Sequence, residues 1–471
     1  MIVSNARLTE ALLRNDFLSF VLAVFAELNP GRQFHSNWSH EAICTYIGIV
    51  AFERVHGRLI INLPPRSAKS TIASVALPAF LLGRDPTLRV IVVSYNQDLA
   101  NFFGRQTRQV MQSAWYRRLF PSTRLPVRAG ETVFYTSAGG YRMATSTNGT
   151  LTGRGGDVII VDDPLKGPDA YSEAARETSI EWTMTTLFTR LDDKSRGGII
   201  LVQQRQHEND LSGHLLETGD FLHLNLPAIA ERDEDILLSK HPLRFHHRRT
   251  GDVLDPAREP PGVLQRLKGE MGTHEFSAQY QQNPLPADGD VIKVGWFGTY
   301  HDVPDTGETV FSIDSAYKTG ARNDWSVITV WRVHANRFYL LNVWRRRVEY
   351  PVLKQAVIEM ARRLRPDAIL IEDKGSGTGL IQDLEAESEG FPVIAYDPGV
   401  YDKQTRLHVQ SSKIEGGLVL LPPEAPWLEE FLNEVRRFPN GAHDDQIDAM
   451  AQLLAWKSER SGEMFIGTYR S

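Results

Sequence analysis

The sequence predicts an α/β protein built of two units in succession, and two features predict this fold. In the first 220 residues, apolar runs rich in β-branched residues alternate with stretches compatible with helices. Beyond residue 309, three strand-like runs follow one another directly before helices and strands alternate again. Uninterrupted apolar strands are typical of a parallel sheet covered on both faces, and successive strands before the alternation indicate a mixed sheet.

The individual elements follow from the same pattern. The first unit has predicted strands at 58–63, 89–94, 157–162 and 198–203, with helical stretches such as 97–113 and 172–190. The segment after it is less regular and holds a His/Arg-rich and a Pro-rich stretch. We therefore predict a first domain at 1–220, a small lid subdomain and linker at 221–290, a second domain at 291–460 and a flexible tail at 461–471.

Composition excludes several classes of protein. The 471 residues carry a net charge of −6, so any surface that binds nucleic acid must be local. Cys44 is the only cysteine, which excludes an internal disulfide and a cysteine-based zinc site. The N-terminal segment lacks the apolar core of a signal peptide, and no apolar run approaches the ~20 residues that span a bilayer. We expect a cytoplasmic protein with no membrane partner.

The segment INLPPRSAKS (61–70) has the features of a phosphate-binding loop whose two glycines have been replaced. The usual pattern, G-x-x-x-x-G-K-[ST], has glycine where this chain has Leu63 and Ala68. Lys69 and Ser70 follow a buried strand and open a helix, as a cation for the β- and γ-phosphates and a ligand for Mg²⁺ require. Ala68 can replace the second glycine if its φ stays negative. A surface lysine before a helix is the alternative. The predicted ATP-binding residues of this segment are Pro65, Arg66, Ser67, Ala68, Lys69, Ser70 and Thr71.

A second acidic segment, GGDVIIVDDPLKG (155–167), favours the nucleotide site over that alternative. Its apolar strand ends in two acids. Asp162 is predicted to hold Mg²⁺ through water, and Asp163 to orient or deprotonate the attacking water. A turn with two exposed aspartates is the simpler interpretation, but the pairing of both segments in one α/β domain makes it less favourable.

Phosphoryl transfer also needs a cation that neutralises the developing charge. Arg66 within the loop is a candidate in cis. Arg154, between glycines in LTGRGG, is a candidate that would act on the site of a neighbouring subunit. Gln203 and Gln204 follow the last strand, where a γ-phosphate sensor would lie. For all four residues, an ordinary solvated or strand-end role is the alternative.

The second unit carries acids at positions typical of a metal-dependent nuclease. Asp314 lies on its first strand, Glu372 at the end of its fourth strand, and Asp444 and Asp445 in the first turn of a late helix. Hard oxygen ligands in that number suit Mg²⁺ or Mn²⁺, and two such ions can stabilise both oxygens of a phosphodiester displacement. This arrangement is that of ribonuclease-H-like nucleases. Taken singly, each acid could be a turn residue or a helix cap.

Further residues are predicted to support this site. Asp324 is a supporting metal ligand, and Asp373 and Asp448 lie beside the principal acids. Solvated surface charge is the alternative for the basic candidates. The predicted DNA-binding residues are Lys374, Lys403 and Arg406, with Lys318, Arg322 and the run Arg345, Arg346 and Arg347 as further candidates.

Taken together, these segments resemble the large terminase subunit of tailed bacteriophages. The resemblance extends over nearly the whole chain and includes LIINLPPRSAKS, LTGRGGDVIIVDDPLK, HENDLSGHLL, EFSAQYQQNP, LIEDKGSGTGLIQDL and FPNGAHDDQIDAM in order. It implies a P-loop ATPase domain of the ASCE type, with a parallel sheet and helices, followed by a ribonuclease-H-like mixed-sheet nuclease domain. It also implies that Gln33 contacts adenine. By the same resemblance, the ATPase residues are Lys69, Ser70, Asp162 and Asp163, and the nuclease metal ligands are Asp314, Glu372, Asp444 and Asp445.

The resemblance implies a function and its partners. The function is ATP-driven translocation of double-stranded viral DNA into procapsids, with metal-dependent endonucleolytic cleavage of concatemers. The implied cofactors are ATP and Mg²⁺, with Mn²⁺ possible at the nuclease. The implied partners are double-stranded DNA, the portal protein, a small terminase subunit and further copies of the chain in a ring, with a pentamer expected. Its place would be the cytoplasm of the bacterial host and, transiently, the procapsid portal.

Two other classes of protein share some of these features. A helicase-nuclease or a transposase-like recombinase would unwind duplex DNA or join strands, although the sequence shows no second motor-like lobe. A structural component of the virion with vestigial sites would neither hydrolyse ATP nor cut DNA. The many acids at strand ends disfavour that last interpretation.

Overall fold

The computed structural model describes residues 5–126, 130–151, 153–284, 292–315, 325–387, 390–399, 403–438 and 443–466. The chain divides into two compact units. The first comprises Met1–Leu267 and His274–Pro286, and the second comprises Lys268–Thr273 and Ala287–Ser471. Each unit is described on its own.

The first unit is a parallel sheet covered by helices. Its strands are β1 (Arg58–Asn62), β2 (Arg89–Ser94), β3 (Val133–Tyr135), β4 (Tyr141–Ser146), β5 (Val158–Asp162), β6 (Gly198–Gln203), β7 (Leu222–Asn225), β8 (Glu234–Lys240) and β9 (Leu243–Arg248). The helices in this stretch of chain are α1 (Asn5–Asn15), α2 (Phe17–Leu28), α3 (Trp38–Ala51), α4 (Leu77–Arg84), α5 (Gln97–Gln112), α6 (Ala114–Leu119), α7 (Glu173–Trp182), α8 (Leu211–Glu217), α9 (Pro261–Met271) and α10 (Thr273–Gln279).

The strand order of this sheet brings the sequence motifs together at the carboxyl ends of its central strands. The described strands run in the order β3-β4-β2-β5-β6-β1-β7, all parallel except for the β3–β4 pair. The strands predicted at 58–63, 89–94, 157–162 and 198–203 are confirmed to within one residue. Strand side chains alternate between two apolar clusters, one on each face, as in Ile160 and Ile159. Because parallel strands end at the same edge, Asn62, Asp162 and Gln203 lie together there.

The second unit is a mixed sheet with helices. Its strands are β10 (Gly298–Thr299), β11 (Glu308–Asp314), β12 (Ser326–His334), β13 (Arg337–Arg346), β14 (Ala368–Glu372), β15 (Val393–Tyr396) and β16 (Val419–Leu421). Its helices are α11 (Tyr350–Leu364), α12 (Ser376–Glu385), α13 (Lys403–Glu415), α14 (Leu428–Arg437) and α15 (Asp445–Ile466).

The register of this sheet places Asp314 where the period of two predicted it. β11, β12 and β13 form the expected antiparallel meander, and β14 pairs with β11 in parallel. Phe311 and Ile313 pack in the apolar cluster on one face, whereas Val310 packs on the other face with Ile447 of α15. Asp314 therefore belongs to the α15 face.

The α/β fold class predicted from the sequence is confirmed, with a parallel sheet consistent with an ATPase in the first unit and a mixed sheet in the second. α15 continues to Ile466, into the segment that the sequence predicts as a tail. Among the described residues, no helix is both long and apolar enough to cross a membrane.

Candidate active sites

The loop between β1 and the next helix differs from the prediction at Ala68. Its φ is +57°, and that of Arg66 is +63°, so both residues adopt the left-handed conformation. The condition stated for Ala68, a negative φ, is therefore not met. The turn keeps the backbone geometry that glycine normally provides, and the chain tolerates it with a Cβ at a cost of about 1–2 kcal/mol. Helical structure begins at Lys69 and continues as a π-helical turn at Thr71–Ala76.

Lys69 is held under this loop by Asp163. Its ammonium lies 3.0 Å from Asp163 Oδ1 and 2.9 Å from Oδ2, and Lys69 is only 6% exposed. The backbone N–H of Gln204 donates to the same Oδ1 at 3.0 Å. Asp163 itself has a positive φ of 45°, an unusual conformation for a non-glycine residue that is often found at functional sites.

Asp162 connects the end of β5 to the phosphate loop. Ser70 Oγ donates to its Oδ1 at 3.1 Å, and Ser74 Oγ donates to its Oδ2 at 2.7 Å. Burial and the neighbouring charge of Asp163 raise the pKa of Asp162 to about 7. A cation near Ser70 would offset both effects, which is the setting that a Mg²⁺ ligand needs.

A pocket of about 800 Å³ opens beside these groups. Gln33 lines it, as do the predicted loop residues 65–71, Asp163 and Gln204. Phe34 packs its ring 4.8 Å from that of Phe25, forming an aromatic wall. Arg258, which the sequence analysis did not single out, also lines the pocket and donates a hydrogen bond to the carbonyl of Arg66. The only sequence signal for Arg258 was the Pro-rich segment around it.

Two predicted residues lie elsewhere. Arg154 is close to Tyr141, the first residue of β4, which pairs with the first residue of β2. Arg154 therefore lies near the amino ends of the strands, whereas Asp162 lies at their carboxyl ends. Arg154 does not line the pocket of its own chain. Gln203 is buried, and its Oε1 accepts a hydrogen bond from Ser212 at 3.1 Å. Of the two predicted sensor residues, Gln204 alone faces the pocket.

In the second unit, the acids meet at the face of the sheet that α15 covers. Burial and the charge of Asp448 raise the pKa of Asp314 to about 8, with smaller contributions from Asp445 and Glu372. Asp448 is buried, and burial raises its pKa to about 7. Asp448, which the sequence analysis placed beside the principal acids, is thus the carboxylate of α15 that acts most strongly on Asp314.

Two cations lie among these acids. Lys403 contacts Asp448 and lies 3.0 Å from Asp444, while Arg406 lies 3.4 Å from Glu372 and 3.9 Å from Asp448. Although burial lowers it, the carboxylates of Asp448 and Asp314 raise the pKa of Lys403 overall. Both residues were predicted to bind DNA, and the structure places both within the acid cluster.

The carboxylates around Asp314 are of the kind that a hard cation prefers, but in this structure the described ones are not close enough together to hold one. Carboxylate oxygens are the ligands that Mg²⁺ and Mn²⁺ prefer. Across the described ranges, no three His, Cys, Asp or Glu side chains are close enough to hold an ion as they stand. Since Lys403 and Arg406 each pair with two of these acids, their positive charges separate the carboxylates and reduce their mutual repulsion.

The remaining predicted residues are less central. Asp373 accepts a hydrogen bond from Thr378 at 2.8 Å and so supports the start of α12. Lys374 is exposed and reaches the carbonyl of Gly399 at 3.5 Å. The predicted metal ligand Asp324, with Lys318 and Arg322, lies outside the described residues.

Comparison with known proteins supports the resemblance noted in the sequence. Residues 306–456 match the family model of the terminase RNaseH-like domain. The large terminase of a thermophilic bacteriophage (crystal form 2) has a TM-score of 0.55 and 9% identity, with 90% of this chain and 98% of that chain covered. The same terminase in complex with ADP (crystal form 3) has a TM-score of 0.50 and 9% identity, with coverages of 93% and 98%. No curated protein sequence matches the chain significantly.

The fold and the two groups of acids define a protein that joins a parallel α/β unit to a ribonuclease-H-like unit. At such low identity, the structural similarity shows the fold alone. The family match adds that residues 306–456 are similar to the terminase RNaseH-like domain.

Proposed function

We propose that this protein is an ATP-driven translocase of double-stranded viral DNA that also cuts DNA with the aid of divalent metal ions. The observation that carries the proposal is the contact of Lys69 with Asp163 and of Ser70 with Asp162 beside a pocket of about 800 Å³, in a chain whose second unit matches a terminase nuclease family. The related terminase crystallised with ADP supports a nucleotide in that pocket.

Each residue of the first site has a role that its position allows. Lys69 neutralises the β- and γ-phosphates, and Asp163, which holds the lysine, orients the attacking water. Ser70 and Asp162 hold Mg²⁺, which neutralises phosphate charge when bound. Arg66 supplies a cation from within the loop.

Two further residues complete the proposed nucleotide site. Gln33 presents an amide to the adenine next to the aromatic wall of the pocket. Arg154 is too far along the sheet to serve its own pocket, so a role as an arginine finger requires a neighbouring subunit.

In the second site, the carboxylates of Asp314, Glu372, Asp445 and Asp448 hold Mg²⁺ or Mn²⁺, with Asp444 at the edge of the set. The bound ions supply the charge that stabilises the attacking and leaving oxygens of a phosphodiester. Lys403 and Arg406 are proposed to release the acids and turn to the DNA phosphates when metal binds. Binding to a portal protein and a small subunit, in a ring of identical chains in the host cytoplasm, belongs to the same proposal.

Two substitutions in the full chain test this proposal together. Lys69→Ala should abolish DNA-stimulated ATP hydrolysis, with a loss of about 100-fold or more, because the lysine is a principal cation of the site. Asp314→Asn should abolish cleavage of plasmid DNA in Mg²⁺ or Mn²⁺. Lys194→Ala and Asp302→Asn, which change the same charges at exposed positions, are the matched controls and should leave both activities unchanged.

The outcomes separate the alternatives. ATP hydrolysis that survives in Lys69→Ala would overturn the assignment of the nucleotide site. Strand displacement by the native protein would favour a helicase-nuclease, and strand joining would favour a recombinase. No cleavage in any metal would favour a structural component of the virion.

A further inference from the structure

A cluster of three side chains, which we call the Trp325 cluster, lies beside the acids of the second unit. The guanidinium of Arg347 lies 4.7 Å from the centre of the Trp325 ring, which the guanidinium of Arg345 also contacts at 4.2 Å. Its Nη2 lies 3.4 Å from His443 Nε2, and the rings of Trp325 and His443 meet edge to face at 6.3 Å. His443 immediately precedes Asp444, so the cluster is connected directly to the acidic segment.

The strand register places this cluster on the same face of the sheet as Asp314. Asp314 pairs with Val327, and Val327 pairs with Arg345. Trp325 and Arg347 are each two residues from this row, Trp325 just before β12 and Arg347 just after β13. Side chains two residues apart in a strand share a face, so the cluster continues the surface that carries the acids.

The three consecutive arginines at the end of β13 have different surroundings. Arg345 is nearly buried and is occupied by acids, since its Nη2 lies 3.5 Å from Glu434 and 3.8 Å from Asp445. Arg346 lies on the opposite face, over the ring of Trp344 at 5.7 Å. Arg347 is exposed, and no carboxylate among the described residues lies within ion-pair distance of it.

We propose that Arg347, held by Trp325 and His443, binds a backbone phosphate of duplex DNA. This phosphate would lie next to the acids that are proposed to hold the metal ions of the nuclease. This inference rests on the proposed nuclease activity and identifies which arginine of the run contacts the substrate. The contact is to the phosphodiester, which carries no base information, so it would position any sequence equally.

The geometry favours a phosphate ligand for physical reasons. A guanidinium stacked on an indole loses less side-chain entropy on binding, because the ring already restricts it. Stacking engages the flat face of the guanidinium and leaves most of its N–H groups along the edge free, and that edge matches the oxygens of a phosphate. Arg345 cannot serve in this way, since its charge is already satisfied by the acids that it positions.

The test compares two adjacent arginines in the full chain. Binding of a random-sequence duplex is measured in Ca²⁺, which should allow binding without cleavage, between about 50 and 200 mM salt. Arg347→Ala should weaken binding and lower the slope of log K against log salt by about 1, the loss of one phosphate contact. Arg346→Ala removes the same charge on the other face and should leave the slope unchanged.

A second pair of variants separates stacking from charge. Trp325→Leu keeps Arg347 but removes the ring that Arg345 and Arg347 both contact. It should weaken binding less than Arg347→Ala does, with the slope largely retained, because the charge of Arg347 stays and Arg345 remains held by its acids. Compared with Arg347→Ala, Arg347→Lys should regain the native slope of log K against log salt but only part of the native affinity. Thermal unfolding of each variant verifies that the second unit remains folded.

Each result bears on the inference. If Arg347→Ala and Arg346→Ala behave alike while the native protein binds and cuts DNA, the Trp325 cluster is not the phosphate site and the proposed function stands. If the native protein neither binds nor cuts DNA, the phosphate site at Arg347 and the proposed nuclease function are both overturned.

Discussion

At the scale of single residues, Ala68 shows how the loop after β1 adopts a glycine-like backbone conformation without glycine. Its φ of +57° is the conformation that glycine adopts freely and that alanine adopts only at a cost. The neighbouring Arg66 has the same conformation, and Arg258 donates a hydrogen bond to its carbonyl. The loop is therefore held in a strained shape by the surrounding structure, as is common at functional sites.

Replacing Ala68 by glycine should relieve that strain. Ala68→Gly is expected to raise the free energy of unfolding of the first unit by about 1 kcal/mol, because the gain in the left-handed conformation exceeds the added entropy of the unfolded chain. Chemical denaturation measures this. Ala26→Gly, at an exposed position within α2, should have the opposite sign and cost about 0.5–1 kcal/mol. A loss of stability in both variants would contradict the strained geometry.

Sequence reasoning found the acids but not their partners. The period of two was enough to place Asp314 on the face opposite Phe311 and Ile313, since it depends on neighbours within one strand. It could not show that Asp448, rather than Asp444, acts most strongly on Asp314, because that depends on how α15 packs against β11. The contacts of Lys403 with Asp444 and of Arg258 with Arg66 join residues 41 and 192 positions apart, and no local pattern reports them.

At the scale of elements, the π-helical turn after the loop that carries Lys69 accepts a hydrogen bond from a buried arginine. Arg142 of β4 is fully buried, and burial lowers its pKa to about 9. Its Nη2 donates to the carbonyl of Ser74 at 3.4 Å, within the π-helical turn Thr71–Ala76. The hydroxyl of Ser74 in turn donates to Asp162. Arg142 thus supports the turn that positions the proposed magnesium ligand.

Arg142→Met should therefore separate stability from catalysis. A buried charge without a carboxylate partner contributes little net stability, so an apolar side chain of similar length should leave the melting temperature unchanged or higher. ATP hydrolysis should fall about tenfold in kcat, equivalent to about 1.4 kcal/mol, because Ser74 and Asp162 lose their fixed position. The KM for ATP should change little. An unchanged kcat would show that packing alone holds the turn.

The strands could be predicted from the sequence, whereas the π-helical turn could not. Strand positions followed from apolar runs, since burial on both faces imposes a clear composition. A π-helical turn has no such signature in residues 71–76. Its partner Arg142 lies on β4, which is four positions from β1 and two positions from β5 in the sheet order.

At the scale of the whole molecule, the two proposed sites belong to units with separate cores. The apolar clusters of the first unit draw on residues between Phe17 and Leu254, and those of the second on residues between Ile292 and Trp456. No cluster in the described part of the chain mixes residues of both units. We therefore expect each unit to unfold as a cooperative body of its own.

Separate cores predict separate responses to ligands. In calorimetry, ADP added in the presence of Mg²⁺ should raise the unfolding temperature of the first unit. Mn²⁺ alone should raise the unfolding temperature of the second unit. A ligand at 100 times its Kd stabilises the unit that binds it by about 2.7 kcal/mol, enough to shift a transition by several degrees. Lys69→Ala should remove the shift caused by ADP and leave that caused by Mn²⁺, whereas Asp314→Asn should do the reverse. A single transition moved equally by both ligands would show that the chain unfolds as one body and that the two sites are energetically coupled.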